Sequence, residues 1–105
     1  MTLNIEFIDK IINVTSKAAT SCYKFLGKND KENADKAATD SMRHEINKLK
    51  INGEVVIGEG ELDEAPMLYI GEKLGAGGKI NLDIAVDPLE GTNFVAKNLP
   101  GALSV

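Results

Sequence analysis

The feature that most constrains this chain is a short apolar run that ends in a group of polar residues. Residues 82–86 are rich in the side chains of a buried strand. Asp87 ends the run, and Pro88 keeps the backbone extended while offering no N–H to the ladder. Glu90 follows, and Gly91 and Thr92 predict a turn into a helix. Such carboxylates, hydroxyl and free N–H groups can hold a hard cation and a phosphate, although an ordinary strand and polar turn fit the same residues.

Length and composition favour a single domain in the cytoplasm. The chain has 105 residues, 43% of them apolar, and a net charge of −4. That charge argues against nucleic acid as the main partner, because no basic stripe is present to neutralise phosphates. No apolar run is long enough to span a membrane, and the N-terminus lacks the features of a signal peptide. Cys22 is the only cysteine, so we expect a small buried thiol and no intrachain disulfide.

Hydrophobic periodicity predicts two helices in the first half of the chain. The first spans residues 3–26, stops at Gly27, and has an inner stripe of Ile5, Ile8, Ile12, Ala19, Cys22 and Leu26. The second spans residues 33–49. Asp35 falls in its first turn, where the helix dipole alone favours a carboxylate. His44, the only histidine, lies off the apolar stripe and is expected in solvent.

A strand and an acidic loop follow the second helix. Asn52 and Gly53 predict a tight turn, and residues 54–58 predict a strand. Four acids then occur within six residues, and such close like charges repel unless solvated or neutralised by cations: Glu59, Glu61, Asp63 and Glu64. Farther on we expect a strand at 67–70, a flexible turn at 75–78, a strand at 80–87, a short helix at 93–98 and the start of a strand at 102–105.

Two of these segments carry a family resemblance. Residues 56–73, Val-Ile-Gly-Glu-Gly-Glu-Leu-Asp-Glu-Ala-Pro-Met-Leu-Tyr-Ile-Gly-Glu-Lys, closely resemble the metal-loop signature of class II fructose-1,6-bisphosphatases. Residues 83–92, Asp-Ile-Ala-Val-Asp-Pro-Leu-Glu-Gly-Thr, resemble their second signature, and the similarity extends upstream to residues 27–31 and 33–35. The Asp-Pro-Leu-Glu-Gly-Thr element is shared with the lithium-sensitive phosphatases that include inositol monophosphatases. Residues 93–95, Asn-Phe-Val, lean toward that wider pattern.

The resemblance implies a role for each matching position. It implies two or more Mn²⁺ or Mg²⁺ ions, with four carboxylate ligands: Asp35, Glu59, Asp87 and Glu90. It implies catalytic roles for Lys31, Asp63 and Thr92. It also implies contacts to the substrate phosphate at Glu90, Gly91 and Thr92.

The resemblance also implies a fold and an activity. The expected fold is α/β, an α+β layered sugar-phosphatase fold with two N-terminal helices packed on a mixed sheet. Residues 1–105 would be the N-terminal metal-binding part of a longer domain that hydrolyses the 1-phosphate of fructose 1,6-bisphosphate and forms a homo-oligomer at full length. As an isolated chain it is expected to turn over weakly or not at all. Two alternatives stay open at this point: an inositol-phosphate-type phosphatase, and a non-catalytic module that binds divalent ions or assembles with another chain.

Overall fold

The chain forms two long helices, three strands and a short helix. The structure is a computed structural model that describes residues 4–59 and 67–105. Its elements in chain order are α1 (Ile5–Cys22), α2 (Lys31–Ile46), β1 (Ile51–Ile57), β2 (Lys73–Leu74), β3 (Ile80–Ala85) and α3 (Thr92–Ala96). One core cluster joins side chains of α1, α2, β1 and α3. The predicted α/β class, with two N-terminal helices and a mixed sheet, is confirmed.

Helix α1 begins and ends at strong capping signals. Asn4 caps its start, since the Asn4 side chain accepts a hydrogen bond of 2.7 Å from the Phe7 amide. A 3₁₀ turn at Tyr23–Phe25 follows α1, and Gly27 then adopts φ +70°. The α-helix therefore ends four residues before the predicted residue 26, and Gly27 turns the chain after the 3₁₀ turn, because glycine enters this left-handed conformation without a steric cost. No helix in the described part of the chain is long and apolar enough to cross a membrane.

The predicted inner stripe of α1 is largely wrong. Of that stripe Cys22 is buried, whereas Ile5 and Ile12 are 77% and 57% exposed. The buried ridge consists instead of Val14, Ala18 and Cys22, spaced by four residues. This ridge shares one core cluster with Ala34, Ala38, Met42 and Ile46 of α2, and the small side chains in it let the two helices pack closely. The larger isoleucines are left on the outer face.

Helix α2 starts at an aspartate cap two residues earlier than predicted. The Asp30 carboxylate accepts a hydrogen bond of 3.2 Å from the Asn33 amide. The helix ends at Ile46 rather than at residue 49. His44 lies in the last turn with a side chain 71% exposed. Its predicted place in solvent is confirmed.

The sheet has the order β2-β1-β3, with β1 in the centre. β1 pairs antiparallel with β2 and parallel with β3, beginning with Ile51 opposite Ile80. The tight turn predicted at Asn52 and Gly53 is wrong, because both residues lie inside β1. A Cβ at Gly53 would come within 2.7 Å of the Ile84 side chain and 3.0 Å of the Leu74 carbonyl oxygen. This glycine permits close packing in the sheet rather than a turn.

The strand predicted at residues 67–70 is also wrong. Leu68 is fully buried, but the segment turns back on itself. The Glu72 amide donates to the Tyr69 carbonyl at 3.0 Å, and the Gly71 amide donates to the Val55 carbonyl at 2.7 Å. The apolar run therefore forms a turn beside β1 in which Leu68 is buried and Ile70 is exposed.

The last residues brace the loop that leaves β3. Asp87 and Val105 exchange backbone hydrogen bonds of 2.7 and 3.0 Å, and Glu90 and Leu103 exchange another pair of 2.7 and 3.0 Å. The segment predicted to start a strand at 102–105 thus pairs antiparallel with residues 87–90, as an isolated bridge at Leu103. The short helix predicted at 93–98 is α3.

Candidate metal centre

A cleft lies where β1 and β3 end, beside α2. Because these two strands are parallel, their carboxyl ends meet at the same edge of the sheet. The cleft has a volume of about 460 Å³ and is lined by Asp35, Ile57, Gly58, Glu59, Met67, Val86, Asp87, Leu89, Glu90, Gly91 and Thr92. It therefore collects all four predicted metal ligands and all three predicted phosphate-contacting residues.

Three separate elements deliver the acidic side chains. Asp35 comes from α2, Glu59 stands two residues after β1, and Asp87 stands two residues after β3. The Glu59 amide donates a hydrogen bond of 3.0 Å to the Leu68 carbonyl, and this bond fixes the backbone at the rim of the cleft. The backbone of Asp87 is fixed by its two bonds to Val105.

The carboxylates repel one another in this cleft. Burial raises the pKa of Asp35, and the neighbouring Asp87 raises it further. The pKa of Glu59 rises to about 8, first through burial, then through the charge of Asp35 and through a hydrogen bond with Asp87. Among the residues described, Glu59 Oε1 is buried without a hydrogen-bond partner. A bound cation would offset this repulsion and give the buried oxygen a partner.

The donor set fits a hard cation in its chemistry. Carboxylate oxygens are the ligands preferred by Mg²⁺ and Mn²⁺, and the cleft lining contains no Cys or His. Within residues 4–59 and 67–105, however, no three acidic, Cys or His side chains already stand together as a ligand group. The residues that fit the metal thus share a cleft without forming a pre-assembled coordination shell.

Gly91 turns the chain from Glu90 into α3. It has φ +83° and precedes the first residue of α3, Thr92. A Cβ at Gly91 would lie 2.8 Å from the Phe94 ring, so both the conformation and the packing favour glycine. The predicted turn into a helix is confirmed, and it places the Thr92 backbone beside Glu90 in the cleft.

Of the predicted catalytic residues that the structure describes, Thr92 lines the cleft and Lys31 does not. Lys31 is the exposed first residue of α2, one turn before Asp35, and is not part of the cleft lining. The amides of Gly27 and Asn29 donate to carbonyls of α3 at 2.8 and 2.9 Å, so the loop before Lys31 is tied to the helix that Thr92 begins. Asp63 lies outside the described residues, as do Glu61 and Glu64.

Residues that were not predicted from the sequence also support the cleft. Met67 and Leu89 form an apolar part of the cleft wall. Arg43 on α2 forms a two-point ion pair with Glu72 and also binds the Met67 carbonyl. No local pattern marked Arg43, because its partners Glu72 and Met67 lie 29 and 24 residues farther along the chain.

The fold and the site define a layered α/β protein with an acidic, oxygen-rich cleft at the ends of parallel strands. Comparison with known families is more specific. The family described as "Bacterial fructose-1,6-bisphosphatase, glpX-encoded" matches residues 5–105, and the chain belongs to this family.

Curated relatives agree with that assignment. The chain is 55% identical over 103 residues to "Fructose-1,6-bisphosphatase 1 class 2" of Escherichia coli (strain K12), covering 98% of this chain and 30% of the relative. It is 47% identical over 103 residues to "D-fructose 1,6-bisphosphatase class 2/sedoheptulose 1,7-bisphosphatase" of Prochlorococcus marinus (strain AS9601), covering 98% and 31%. The chain therefore spans about 30% of the length of these relatives.

Proposed function

We propose that this chain forms the metal- and phosphate-binding part of a fructose-1,6-bisphosphatase. The reaction is hydrolysis of the 1-phosphate of fructose 1,6-bisphosphate to fructose 6-phosphate, a step of gluconeogenesis. Membership in the bacterial fructose-1,6-bisphosphatase family supports the proposal. The observation that carries it is the single cleft that collects Asp35, Glu59, Asp87 and Glu90.

The four carboxylates would hold two or more Mn²⁺ or Mg²⁺ ions. When bound, such ions lower the pKa of a water and neutralise charge on the phosphate. Glu59 supports this role, because burial, the charge of Asp35 and a hydrogen bond with Asp87 together raise the pKa of its carboxyl. Removal of one of these four acids would weaken the affinity for the metal, whereas removal of an unrelated surface acid would not.

The remaining residues of the site would bind and orient the substrate. Glu90, Gly91 and Thr92 border the place where a phosphate would enter the cleft. Asp63 would accept a hydrogen bond from the Thr92 hydroxyl and so orient the attacking water. Lys31 would direct a positive charge toward the phosphate. Hydrolysis then joins the water oxygen to phosphorus, breaks the bond from phosphorus to the C1 oxygen, and leaves a proton on the sugar hydroxyl.

The names of the relatives support a sugar bisphosphate as substrate. The Escherichia coli relative is named for fructose 1,6-bisphosphate alone, and the Prochlorococcus marinus relative for sedoheptulose 1,7-bisphosphate as well. The inositol-phosphate and non-catalytic alternatives are not favoured by these names. A wider kinship with inositol phosphatases rests on the Asp-Pro-Leu-Glu-Gly-Thr motif alone. Homo-oligomer formation and a cytoplasmic location stay predictions.

A chimera tests the proposed function. This chain replaces the matching 103-residue segment of the Escherichia coli relative, and phosphate release from fructose 1,6-bisphosphate is measured with Mn²⁺. We expect Mn²⁺-dependent release, and a loss of at least 100-fold in kcat when Asp87→Asn is introduced. Asp9→Asn, an exposed change on α1, is the control and should leave kcat within twofold.

Two results would contradict the proposal. A folded chimera that hydrolyses no sugar bisphosphate would show that this chain does not supply the catalytic carboxylates. A chimera in which Asp87→Asn retains full activity would separate the acidic cleft from the chemistry. Inositol phosphates included in the substrate panel distinguish the two phosphatase classes.

A further inference from the structure

A partly buried ion pair connects α2 with the turn at residues 67–72. Arg43 Nε donates to Glu72 Oε2 at 2.7 Å, and Arg43 Nη2 donates to Glu72 Oε1 at 3.1 Å. Glu72 is only 7% exposed. This parallel, two-point arrangement fixes direction as well as distance, which a lysine cannot do.

The same pair also holds the backbone of the turn. Arg43 Nη2 donates to the Met67 carbonyl at 2.6 Å, and Glu72 Oε1 accepts from the Tyr69 amide at 3.4 Å. Residues on both sides of Leu68 are thus attached to one side chain pair. Leu68 itself is fully buried, so the position of its carbonyl is set from α2.

That carbonyl is the group that fixes Glu59. The Leu68 oxygen accepts the Glu59 amide at 3.0 Å. A Cβ at the preceding Gly58 would lie only 2.3 Å from the same oxygen, so the two backbones touch. A displacement of Leu68 would therefore move Glu59.

Helix α2 supplies the reference point for this arrangement. Asp35 and Arg43 lie on one ridge of α2, about 12 Å apart along the axis. One end of the ridge places a carboxylate in the cleft, and the other holds the turn that supports Glu59. The spacing between Asp35 and Glu59 is then set by a single rigid helix.

We propose that Arg43 and Glu72 are positioning residues that set Glu59 against Asp35 and Asp87 for cation binding. This inference rests on the proposed function of the cleft. A pair that served stability alone would gain little over apolar side chains, because the desolvation of the buried Glu72 and the partly buried Arg43 offsets most of their attraction. An apolar pair could not reproduce the hydrogen bonds that orient the Met67 carbonyl and the Tyr69 amide.

Mn²⁺ affinity of the whole 105-residue chain tests the inference. We expect Arg43→Lys to raise the Mn²⁺ dissociation constant by about 10- to 100-fold, the loss typical when the support of a metal ligand is removed. Lys36→Met is the matched control, since it breaks the exposed Lys36–Asp40 pair on the same helix. The dissociation constant is measured by calorimetry and by electron paramagnetic resonance of free Mn²⁺, at a temperature where circular dichroism shows folded protein.

A double variant, Arg43→Met with Glu72→Leu, separates positioning from stability. It replaces the charges with apolar side chains of similar length, so we expect the melting temperature without metal to be retained and the Mn²⁺ affinity to fall at least tenfold. Affinity within twofold of wild type in either folded variant would overturn the inference. If Arg43→Lys does not fold, the double variant decides alone. A double variant that is also unfolded counts against positioning, because the pair would then serve the fold.

The wild-type chain distinguishes the two proposals. If wild type binds no Mn²⁺, the proposed metal site fails and this inference fails with it. If wild type and Lys36→Met bind Mn²⁺ equally and Arg43→Lys binds it as tightly, the metal site stands and only the positioning role fails.

Discussion

Single residues in the cleft are held against their electrostatic preference. Asp35 and Glu59 are partly buried next to another acid, and the pKa of both is raised. Ordinary surface carboxylates avoid this arrangement, since burial and like charge both disfavour ionisation. Perturbed groups of this kind are typical of functional sites. Gly91 and Gly53 show a related constraint, because each stands where a Cβ would collide with a neighbour.

At the residue scale, the metal-free chain should become less stable as pH rises. The pKa of Glu59 is about 8 in the folded chain against a reference of 4.5, so the folded state binds the proton more tightly. The stabilisation that this tighter proton binding gives the folded state is complete below pH 4.5 and is lost as pH rises toward 8. We expect a decrease on the order of 1 kcal/mol after solvent screening. Urea unfolding with a chelator at several pH values measures it.

The matched variants are Glu59→Gln and Glu32→Gln. Glu59→Gln should remove this part of the pH dependence, since the amide does not titrate. Glu32→Gln, an exposed change in the first turn of α2, should keep it. If the free energy of unfolding changed with pH in the same way for wild type and Glu59→Gln, the result would contradict the repulsion between the carboxylates.

At the scale of elements, α2 organises the site. It begins at the cap formed by Asp30, presents Asp35 to the cleft, and anchors the turn at 67–72 through Arg43. The two parallel strands contribute only their ends, which carry Glu59 and Asp87. Because α2 carries Asp35 and also holds the turn that binds the Glu59 amide, it relates the positions of these two carboxylates.

Removal of the α2 cap should therefore affect both stability and metal binding. Asp30→Ala removes the bond to the Asn33 amide and should cost about 1 kcal/mol in the free energy of unfolding. The first turn would fray, and Asp35 lies next to it. We expect weaker Mn²⁺ binding, measured by calorimetry together with urea unfolding.

Asn4 provides the control, because it caps α1 at 2.7 Å from the Phe7 amide and lies outside the cleft lining. Asn4→Ala should cost a similar free energy without changing Mn²⁺ affinity. Equal effects of the two caps on affinity would show that the start of α2 has no special part in the site.

The whole molecule presents one wall of a site together with much exposed apolar surface. Ile5 and Ile12 on α1 and Ile57 at the rim of the cleft are 77%, 57% and 64% exposed. The chain spans about 30% of the length of its curated relatives. Within the described residues the acids share a cleft but do not form a ready ligand group. These features support the proposal that the chain forms one part of a larger catalytic centre.

We therefore expect the isolated 105-residue chain to show weak or absent turnover of fructose 1,6-bisphosphate. Phosphate release with Mn²⁺, compared with the Escherichia coli relative under the same conditions, measures it. The physical reason is that few groups remain to orient the sugar and exclude water once a phosphate is bound. Clear Mn²⁺-dependent release by this chain alone would refute this expectation.

Local patterns in the sequence were sufficient for several features. Hydrophobic periodicity located the two helices, the apolar runs located most of β1 and β3, and the Asp-Pro-Leu-Glu-Gly-Thr stretch predicted the turn into α3. The family followed from the same stretch together with residues 56–73. These features depend on contacts between residues that are close in the sequence, so local sequence patterns are enough to predict them.

Only the tertiary structure decided how these pieces meet. Small residues rather than isoleucines form the α1 interface, because the distance between helices depends on both partners at once. Asn52 and Gly53 belong to β1 and not to a turn, since β3 and β2 pair on either side. The stretch at residues 82–93 predicted carboxylates at the end of a strand. Their approach to Asp35 and Glu59, with Arg43 fixed behind them, depends on long-range packing that no local pattern encodes.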